Sequence, residues 1–353
     1  MMKKVESAAW VCLMAMLVTI VALPGMAARQ RITKNDAEIV GAGATFPAPL
    51  YQRWISEFVK KEDGFSIFYD AVGSGEGIRR FMAEEIDFGA SDAAMGDEQI
   101  MKMKQGVQLI PATAGIIALA YNIPDLNGDL RLSRDVYTDI FLGKIRNWND
   151  ERIQALNPGL KLPRLNIVTV TRSDSSGTTW AFTNHLSAIS PQWKNAGPGV
   201  GKKVDWPGNS MAGRYNEGVA VKISHSWGSI GYVEYGIARR AGLSMATIEN
   251  KAGAFIKPTD ASGTDTLANT SDQMPPNLRM FIPDPEGINS YPIVTYTWLM
   301  LYQSYANSTK AEKIKRFVNW GLTDGQKFAE EYGYAPLPQP VAALALTALT
   351  KVR

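Results

Sequence analysis

One turn in this sequence combines the residue types that bind an anion. Residues 172–177, Arg-Ser-Asp-Ser-Ser-Gly, supply a cation, a carboxylate, three hydroxyls and a glycine. Arg172 carries a planar fork of N–H donors, and Asp174, two residues later, can hold that fork in place. Alone, the turn could equally be an N-capped helix start with a surface Arg–Asp pair. Its composition therefore predicts either an anion site or an ordinary helix cap.

The elements around this turn favour the anion site. β-Branched residues at 167–171 predict a strand before the turn, and an apolar stripe from Thr178 predicts a helix after it. A strand that runs into a helix in this way leaves free backbone N–H groups in the turn. The positive end of the helix dipole lies at the same point, which favours negative charge there.

Three further turns have the same design. Residues 41–49 end an apolar run with glycines, a threonine and a helix-opening proline. Residues 71–78 place Ser74 among glycines, and residues 88–94 end an apolar stretch with a serine and Asp92. Together the four turns supply hydroxyls, bare amides, one arginine and one candidate acceptor. Four such turns in one chain predict a shared anion site better than four unrelated helix caps.

Composition excludes a general binder of polyanions. The 353 residues are enough for two domains with substantial cores, and 45% hydrophobic and 20% charged residues are ordinary for a folded soluble protein. The net charge of +3 is small, and no cluster of lysine and arginine marks a nucleic-acid face. We expect no nucleic-acid partner, and an anion bound by local geometry.

The N-terminus has the pattern of a signal peptide over residues 1–27. Two lysines precede an apolar run at residues 8–23, and small residues ending at Ala27 predict cleavage there. The run is shorter than a typical membrane span, although an uncleaved anchor is the alternative. The only cysteine, Cys12, lies in this segment, so the exported chain would have no disulfide and no thiolate metal site.

Strands alternate with helices up to residue 121, which predicts an α/β domain with a parallel sheet. Within it, residues 107–111 and 115–121 predict two consecutive strands. A second region follows at residues 122–284, in which the polar residues 260–276 predict a loop.

The anion-binding turns are divided between these regions. Three of them precede residue 122 and the fourth lies well beyond it. We expect lobe I to comprise residues 28–113 plus 285–353, and lobe II residues 114–284. The four turns would then meet across a cleft between the lobes, where α/β proteins commonly bind ligands.

Read together, these motifs resemble the phosphate-binding protein of the bacterial ABC-type phosphate transporter. The stretches that carry the resemblance are Gly-Ala-Gly-Ala-Thr-Phe-Pro (41–47), Gly-Ser-Gly (73–75), Phe-Gly-Ala-Ser-Asp-Ala (88–93), Leu-Gly-Lys-Ile-Arg-Asn-Trp-Asn-Asp (142–150), Arg-Ser-Asp-Ser-Ser-Gly-Thr (172–178) and Ile-Gly-Tyr-Val-Glu-Tyr (230–235). They follow the family's order over nearly the whole exported chain. The resemblance implies an α/β, two-lobed periplasmic binding protein of type II-like fold, with a hinge and a ligand cleft between the lobes.

The resemblance also implies how each turn would contact phosphate. Hydroxyl or amide donors would come from Thr45, Phe46, Ser74, Ser176, Gly177 and Thr178. Arg172 would donate two hydrogen bonds, steadied by Asp174. Asp92 would accept the proton of the phosphate.

Two stretches depart from the family pattern. Ser74 is followed by Gly-Glu-Gly where the family usually has Gly-Gly, which brings a carboxylate close to the site. Glu76 lies three and four residues before Arg79 and Arg80, so we expect these arginines to neutralise it on the first helical turn. Residues 211–216 replace a more glycine-rich loop, and the sequence leaves their role open.

The resulting expectation is a periplasmic binding protein rather than an enzyme. It would capture inorganic phosphate as a monomer, without metal or cofactor, and deliver it to the membrane permease subunits of the transporter. An exported phosphatase with Ser176 or Thr178 as nucleophile is the alternative, but it needs a base or a metal pair. The two histidines, His185 and His225, belong to no such cluster in the sequence.

A receptor of the same fold for sulfate or molybdate is the third possibility. Asp92 argues against it, because a carboxylate needs a ligand that still carries a proton.

Overall fold

A ten-stranded mixed sheet and a separate three-stranded sheet lie in the part of the chain that this computed structural model describes, residues 33–353. The strands are β1 (Ile39–Gly43), β2 (Ile67–Ala71), β3 (Phe88–Ser91), β4 (Val107–Asn122), β5 (Arg131–Leu132), β6 (Val168–Arg172), β7 (Ser210–Gly213), β8 (Ser229–Glu234), β9 (Ser244–Met245), β10 (Thr247–Glu249), β11 (Phe255–Ile256), β12 (Val294–Tyr302) and β13 (Tyr334–Ala335). The expected signal peptide and its cleavage at Ala27 lie outside the described residues.

Helices cover both halves of this sheet. The α-helices are α1 (Ala48–Lys61), α2 (Ser74–Met82), α3 (Asp97–Met101), α4 (Arg134–Phe141), α5 (Glu151–Leu156), α6 (Gly177–Ile189), α7 (Pro191–Ala196), α8 (Tyr215–His225), α9 (Tyr235–Arg240), α10 (Asp260–Ala268), α11 (Ser308–Leu322) and α12 (Gln339–Leu349). Short 3₁₀ helices lie at Lys34–Asp36, Ser271–Gln273, Asp324–Phe328 and Glu330–Tyr332. No helix within residues 33–353 is long and apolar enough to cross a membrane.

The order of strands brings together the ends that carry the four turns. The sheet runs β2-β1-β3-β12-β4-β8-β6-β7, with β9 and β13 also paired to β4. β1 is parallel to β2 and β3, and β6 is parallel to β7 and β8. The predicted turns follow β1, β2, β3 and β6, so each lies at the carboxyl end of a strand, where open α/β sheets bind ligands.

β4 connects the two sets of parallel strands. Residues 107–116 pair with β12, whereas residues 117–122 pair with β8. The sequence predicted two strands here, and this was wrong, because the ladder continues through Pro111 by means of a bulge opposite Thr297 and Trp298. Because the chain beyond residue 31 forms one compact unit, the lobe boundaries at residues 113 and 284 stay a prediction.

A second error concerns residues 260–276, which were expected to be a loop but contain helix α10. Thr259 caps this helix by accepting from the amide of Ser262, and the Ser262 side chain accepts from the amide of Thr259. The buried hydroxyl of Thr266 donates to the carbonyl oxygens of Ser262 and Tyr291. Polar composition concealed this helix because two of its buried residues, Ser262 and Thr266, carry hydroxyls that are hydrogen-bonded to carbonyl oxygens.

Helix α1 shows how the core holds the first turn in place. Pro47 precedes it, and its buried face includes Tyr51, Trp54 and Phe58, the spacing of an amphipathic helix. The indole Nε1 of Trp54 donates to the carbonyl oxygen of Gly325 at 2.9 Å, which ties α1 to the C-terminal part of the chain.

We expect Trp54→Ala to lower the free energy of unfolding by about 3–5 kcal/mol, because it opens a cavity and removes the buried hydrogen bond to the carbonyl oxygen of Gly325. Denaturant unfolding measures the change. The matched control is Trp227→Ala, since Trp227 is 73% exposed and its loss should change stability by less than about 0.5 kcal/mol. Equal losses in both variants would contradict this account of the core.

Candidate anion-binding site

The four predicted turns converge on one buried cluster. Every residue predicted from the sequence to contact the anion is buried: Thr45, Phe46, Ser74, Asp92, Arg172, Ser176, Gly177 and Thr178. Hydrogen bonds connect the turns, since Arg172 reaches Thr45, and the amide of Asp92 donates to the hydroxyl of Ser74. The structure therefore brings these residues together, while their contact with an anion stays a prediction.

The guanidinium of Arg172 is the positive centre of this cluster. Its side chain is 1% exposed, and Asp174 holds one edge through Nε–Oδ1 and Nη2–Oδ2 contacts of 2.8 and 2.6 Å. Burial alone would raise the pKa of Asp174, but the hydrogen bonds and charge of Arg172 lower it below its ordinary value. The ion pair therefore fixes the orientation of the fork.

The other edge of the fork faces two threonine hydroxyls. Nη1 of Arg172 lies 3.3 Å from Oγ1 of Thr178, and Nη2 lies 3.3 Å from Oγ1 of Thr45. A guanidinium held at one edge can present donors from the other edge to an oxyanion. Arg172 is therefore positioned to bind an anion between these two threonines.

Unpaired backbone amides surround the same point. Among residues 33–353 no acceptor is found for the amides of Thr45, Phe46, Ser74, Gly177 and Thr178. Ser74 and Gly177 begin helices α2 and α6, whose first amides have no acceptor within the helix. Both helices direct the positive ends of their dipoles here, which makes this an environment for negative charge.

Asp92 is the only carboxylate among the predicted contacts. Its Oδ1 accepts from the hydroxyl of Thr297 at 2.8 Å, and its Oδ2 lies 3.4 Å from Oγ of Ser74. Burial raises the pKa of Asp92 to about 7, while Thr297, the charge of Arg172 and Ser74 act to lower it. A site rich in donors therefore contains one acceptor.

Asn216 is a contact that the sequence did not predict. Its Nδ2 lies 3.1 Å from Oγ1 of Thr45 and 3.4 Å from Oγ1 of Thr178. Its Oδ1 accepts from the amide of Glu234, which turns the NH₂ group toward the threonines. Since both hydroxyls already accept hydrogen bonds, their own protons are free to be donated to an anion.

Asn216 belongs to the segment at residues 211–216 whose role the sequence left open. No local spacing marks it, because it reaches the site only through the packing of α8 against the sheet. Thr297 was also missed, and its only signal was a hydroxyl residue at alternate positions of an apolar strand.

The turns before α2 and α6 approach each other very closely. The amide of Gly75 donates to the carbonyl oxygen of Ser175 at 2.9 Å. A Cβ atom at Gly75 would lie 2.0 Å from Oγ of Ser175, and one at Gly177 would lie 2.4 Å from Oγ of Ser74. This approach requires glycine at both positions.

The expected neutralisation of Glu76 is confirmed. Its carboxylate accepts from Arg79 at 2.8 and 2.9 Å and from Arg80 at 2.8 Å. These hydrogen bonds, those from Arg79 first, lower the pKa of Glu76 to about 2. The carboxylate of Glu76 is therefore paired with two arginines of its own helix.

The histidine contacts give no support to a hydrolase. His185 is buried between the Tyr137 hydroxyl and the Pro283 carbonyl, and burial lowers its pKa to about 4. The hydroxyl of Ser176 accepts from the amide of Thr179, and within residues 33–353 neither Ser176 nor Thr178 is hydrogen-bonded to a histidine. The same residues contain no group of three or more side chains suited to a metal ion.

Comparison with known proteins identifies the relatives of this chain. Residues 29–324 match the PBP superfamily domain. The phosphate-binding protein PstS of Pasteurella multocida (strain Pm70) is 39% identical over 311 residues, covering 88% of this chain and 89% of the relative. The phosphate-binding protein PstS of Haemophilus influenzae (strain Rd) is 39% identical over 306 residues, covering 86% and 90%.

Solved structures with a similar fold include a periplasmic phosphate-binding protein, PfluDING, bound with phosphate. Its TM-score is 0.71 at 21% identity, over 86% of this chain and 92% of that one. A phosphate-binding protein from Stenotrophomonas maltophilia has a TM-score of 0.67 at 18% identity, over 88% and 93%. At these identities the likeness shows the fold alone, and it confirms the predicted α/β, two-lobed class.

We expect Gly75→Ala to weaken binding of phosphate, the anion expected from the sequence, by roughly five- to a hundredfold. The added Cβ overlaps Ser175, and relieving such overlap costs about 1–3 kcal/mol. Titration calorimetry measures the loss. Gly96→Ala is the matched control, because Gly96 has φ −75° and open space around its Cβ position. Binding as tight as in the wild type would show that the two turns lie further apart when the anion is bound.

Proposed function

The chain belongs to the phosphate-binding proteins of the PBP superfamily, and we propose that it captures inorganic phosphate in the periplasm for import. It passes the phosphate to the membrane permease subunits of an ABC-type transporter. It acts as a monomer, without metal or cofactor, and performs no chemistry on its ligand. The chain is exported to the periplasm, and its signal peptide is cleaved near Ala27.

The observation that carries this proposal is one buried acceptor among many donors. Unpaired amides from the turns after β1, β2 and β6, together with Arg172, match the oxygens of a tetrahedral oxyanion. Thr45 and Thr178 add hydroxyls whose protons are free to be donated, since both accept from Asn216. Asp92 alone offers a lone pair, so the preferred ligand is an oxyanion that still carries a proton.

This polarity favours phosphate over sulfate. At neutral pH phosphate keeps at least one proton, which it can donate to Asp92. Sulfate is fully ionised and would meet the buried carboxylate as an unpaired like charge. Leaving a buried polar group unpaired costs about 1–3 kcal/mol, and more when it is charged, so sulfate should bind at least roughly tenfold more weakly.

The lobes supply different parts of this site. In the proposed division, residues 28–113 plus 285–353 form lobe I and residues 114–284 form lobe II. Thr45, Phe46, Ser74 and Asp92 then belong to lobe I, and the contacts from Arg172 to Thr178 belong to lobe II. Contacts such as Gly75–Ser175 form when the lobes close, so closure and capture of phosphate are coupled.

Titration of the exported protein, first stripped of bound ligand, tests the proposal. We expect one phosphate per chain by calorimetry, weaker binding of sulfate and molybdate, and a melting temperature that rises with free phosphate. No hydrolysis of phosphate esters should accompany binding. A melting temperature that is insensitive to phosphate would contradict the proposed function.

We expect Arg172→Ala to weaken phosphate binding by roughly 2–5 kcal/mol, because a buried charged contact is lost and Asp174 is left without its partner. Arg172→Lys should restore only part of the affinity, since a point charge replaces the planar fork. Calorimetry with phosphate measures both variants. The matched control is Arg164→Ala at an exposed position, which should bind as the wild type does. Normal binding by Arg172→Ala would show that the turn at residues 172–177 is an ordinary helix cap and not part of an anion site.

A further inference from the structure

Sheet register places Thr297 directly beside Asp92. Strands β12 and β3 are antiparallel and pair Trp298 with Ser91, so the residue before Trp298 lies next to the residue after Ser91. Thr297 is fully buried, and its Oγ1 lies 2.8 Å from Oδ1 of Asp92. Asp92 directly follows β3, the neighbour of β12 in the sheet, so the register of these two strands holds the contact in place.

The opposite edge of β12, which pairs with β4, is irregular at Thr297 and Trp298. Thr297 pairs with Thr113 of β4 and Trp298 pairs with Pro111, so the register is shifted between them. Pro111 has no N–H group to give to the ladder. Bulges of this kind are over-represented next to functional sites, where they re-aim a side chain.

Thr295 shows that a threonine on this strand need not contact the carboxylate. It lies two residues before Thr297, hence on the same side of β12, and it is also buried. Its hydroxyl donates to the carbonyl oxygen of Tyr296 at 2.8 Å and lies 3.4 Å from the backbone oxygen of Asp92. Thr297 alone of the two reaches the carboxylate.

The two oxygens of Asp92 therefore have different environments. Oδ1 is occupied by Thr297, whereas Oδ2 lies toward Ser74 and only 2.8 Å from the Cβ position of Gly177. A hydroxyl has one proton, and donating it to Oδ1 favours the ionised carboxylate. This leaves Oδ2 as the acceptor on the side of the α6 N-terminus.

We propose that Thr297 is a specificity-determining residue, which makes the site prefer a protonated oxyanion by favouring the ionised form of Asp92. The inference rests on the proposed function, because it concerns the same anion site. Without the hydroxyl, Asp92 would more readily take up a proton itself. It could then donate to a fully ionised anion such as sulfate, and discrimination would fall.

Among the groups around Asp92, Thr297 does most to favour the ionised carboxylate. Burial raises the pKa of Asp92 to about 7, and the bond from Thr297 opposes the rise more than the charge of Arg172 or the bond from Ser74. The nearby phenols of Tyr51, Tyr69 and Tyr334 are neutral, because burial raises the pKa of each. Tyr69 and Tyr334 donate to the backbone oxygens of Ala44 and Phe46 rather than to Asp92.

The test is the pH dependence of sulfate binding in Thr297→Val, a replacement of nearly equal shape without the hydroxyl. Sulfate stays ionised from pH 5.5 to 9, so its binding profile reports the protonation of the protein. In the wild type we expect sulfate binding to weaken as pH rises through the pKa of Asp92. The valine profile should move up by about one pH unit, which strengthens sulfate binding roughly twofold at pH 7 and close to tenfold at about pH 9, and so reduces discrimination against sulfate.

Three control variants are compared with Thr297→Val. Thr297→Ser keeps the hydroxyl, and Thr295→Val removes the neighbouring one, so both profiles should coincide with the wild type. Asp92→Asn should bind sulfate with no pH dependence from this site. If the valine variant does not fold, Thr297→Ala, which also lacks the hydroxyl, should show the same shift.

An unmoved valine profile in a protein that discriminates normally would overturn this inference and leave the proposed function intact. Equal weakening of phosphate binding and sulfate binding in the valine variant would also overturn this inference, because Thr297 would then contribute only to packing. A wild-type protein that binds neither anion would refute the proposed function, and this inference with it.

Discussion

The buried ion pair between Arg172 and Asp174 is the interaction on which the site depends. A guanidinium that is 1% exposed is tolerated only when it is paired and hydrogen-bonded. Asp174 also accepts from the amide of Tyr215 at 2.9 Å, and Tyr215 has a positive φ of 64°, an unfavourable backbone conformation for a bulky residue. The pair thereby anchors the start of α8, and with it Asn216.

We infer that selectivity in this site depends on an outer layer of residues as much as on the groups predicted to contact the anion. Asn216 occupies acceptor positions on Thr45 and Thr178, and the amide of Glu234 fixes the orientation of Asn216. Thr297 occupies one oxygen of Asp92. Each outer residue assigns the direction of a hydrogen bond, so the inner residues present a defined pattern of donors and one acceptor.

Local features of the sequence were enough to predict the turns, because a strand that ends in glycines and hydroxyls before a helix is a short-range pattern. They could not predict Asn216 or Thr297, which reach the site through strand register and helix packing over long separations. The helix at residues 260–268 was missed because its buried Ser262 and Thr266 resemble loop residues until their hydrogen-bond acceptors are known. The residues predicted to contact phosphate lie in one cluster, but their contact with it and the lobe boundaries remain predictions.

Strand β4 has a mechanical consequence for a two-lobed molecule. Its partner changes from β12 to β8 near Ile116 and Ile117, both buried, so we expect a relative rotation of the two halves of the sheet to be concentrated around these residues. Twisting a continuous strand there need not break any rung of either ladder. Resistance to the rotation then comes from side-chain packing around this pivot. We expect packing there to govern how fast the molecule opens, and the cluster around Arg172 to govern how tightly it holds.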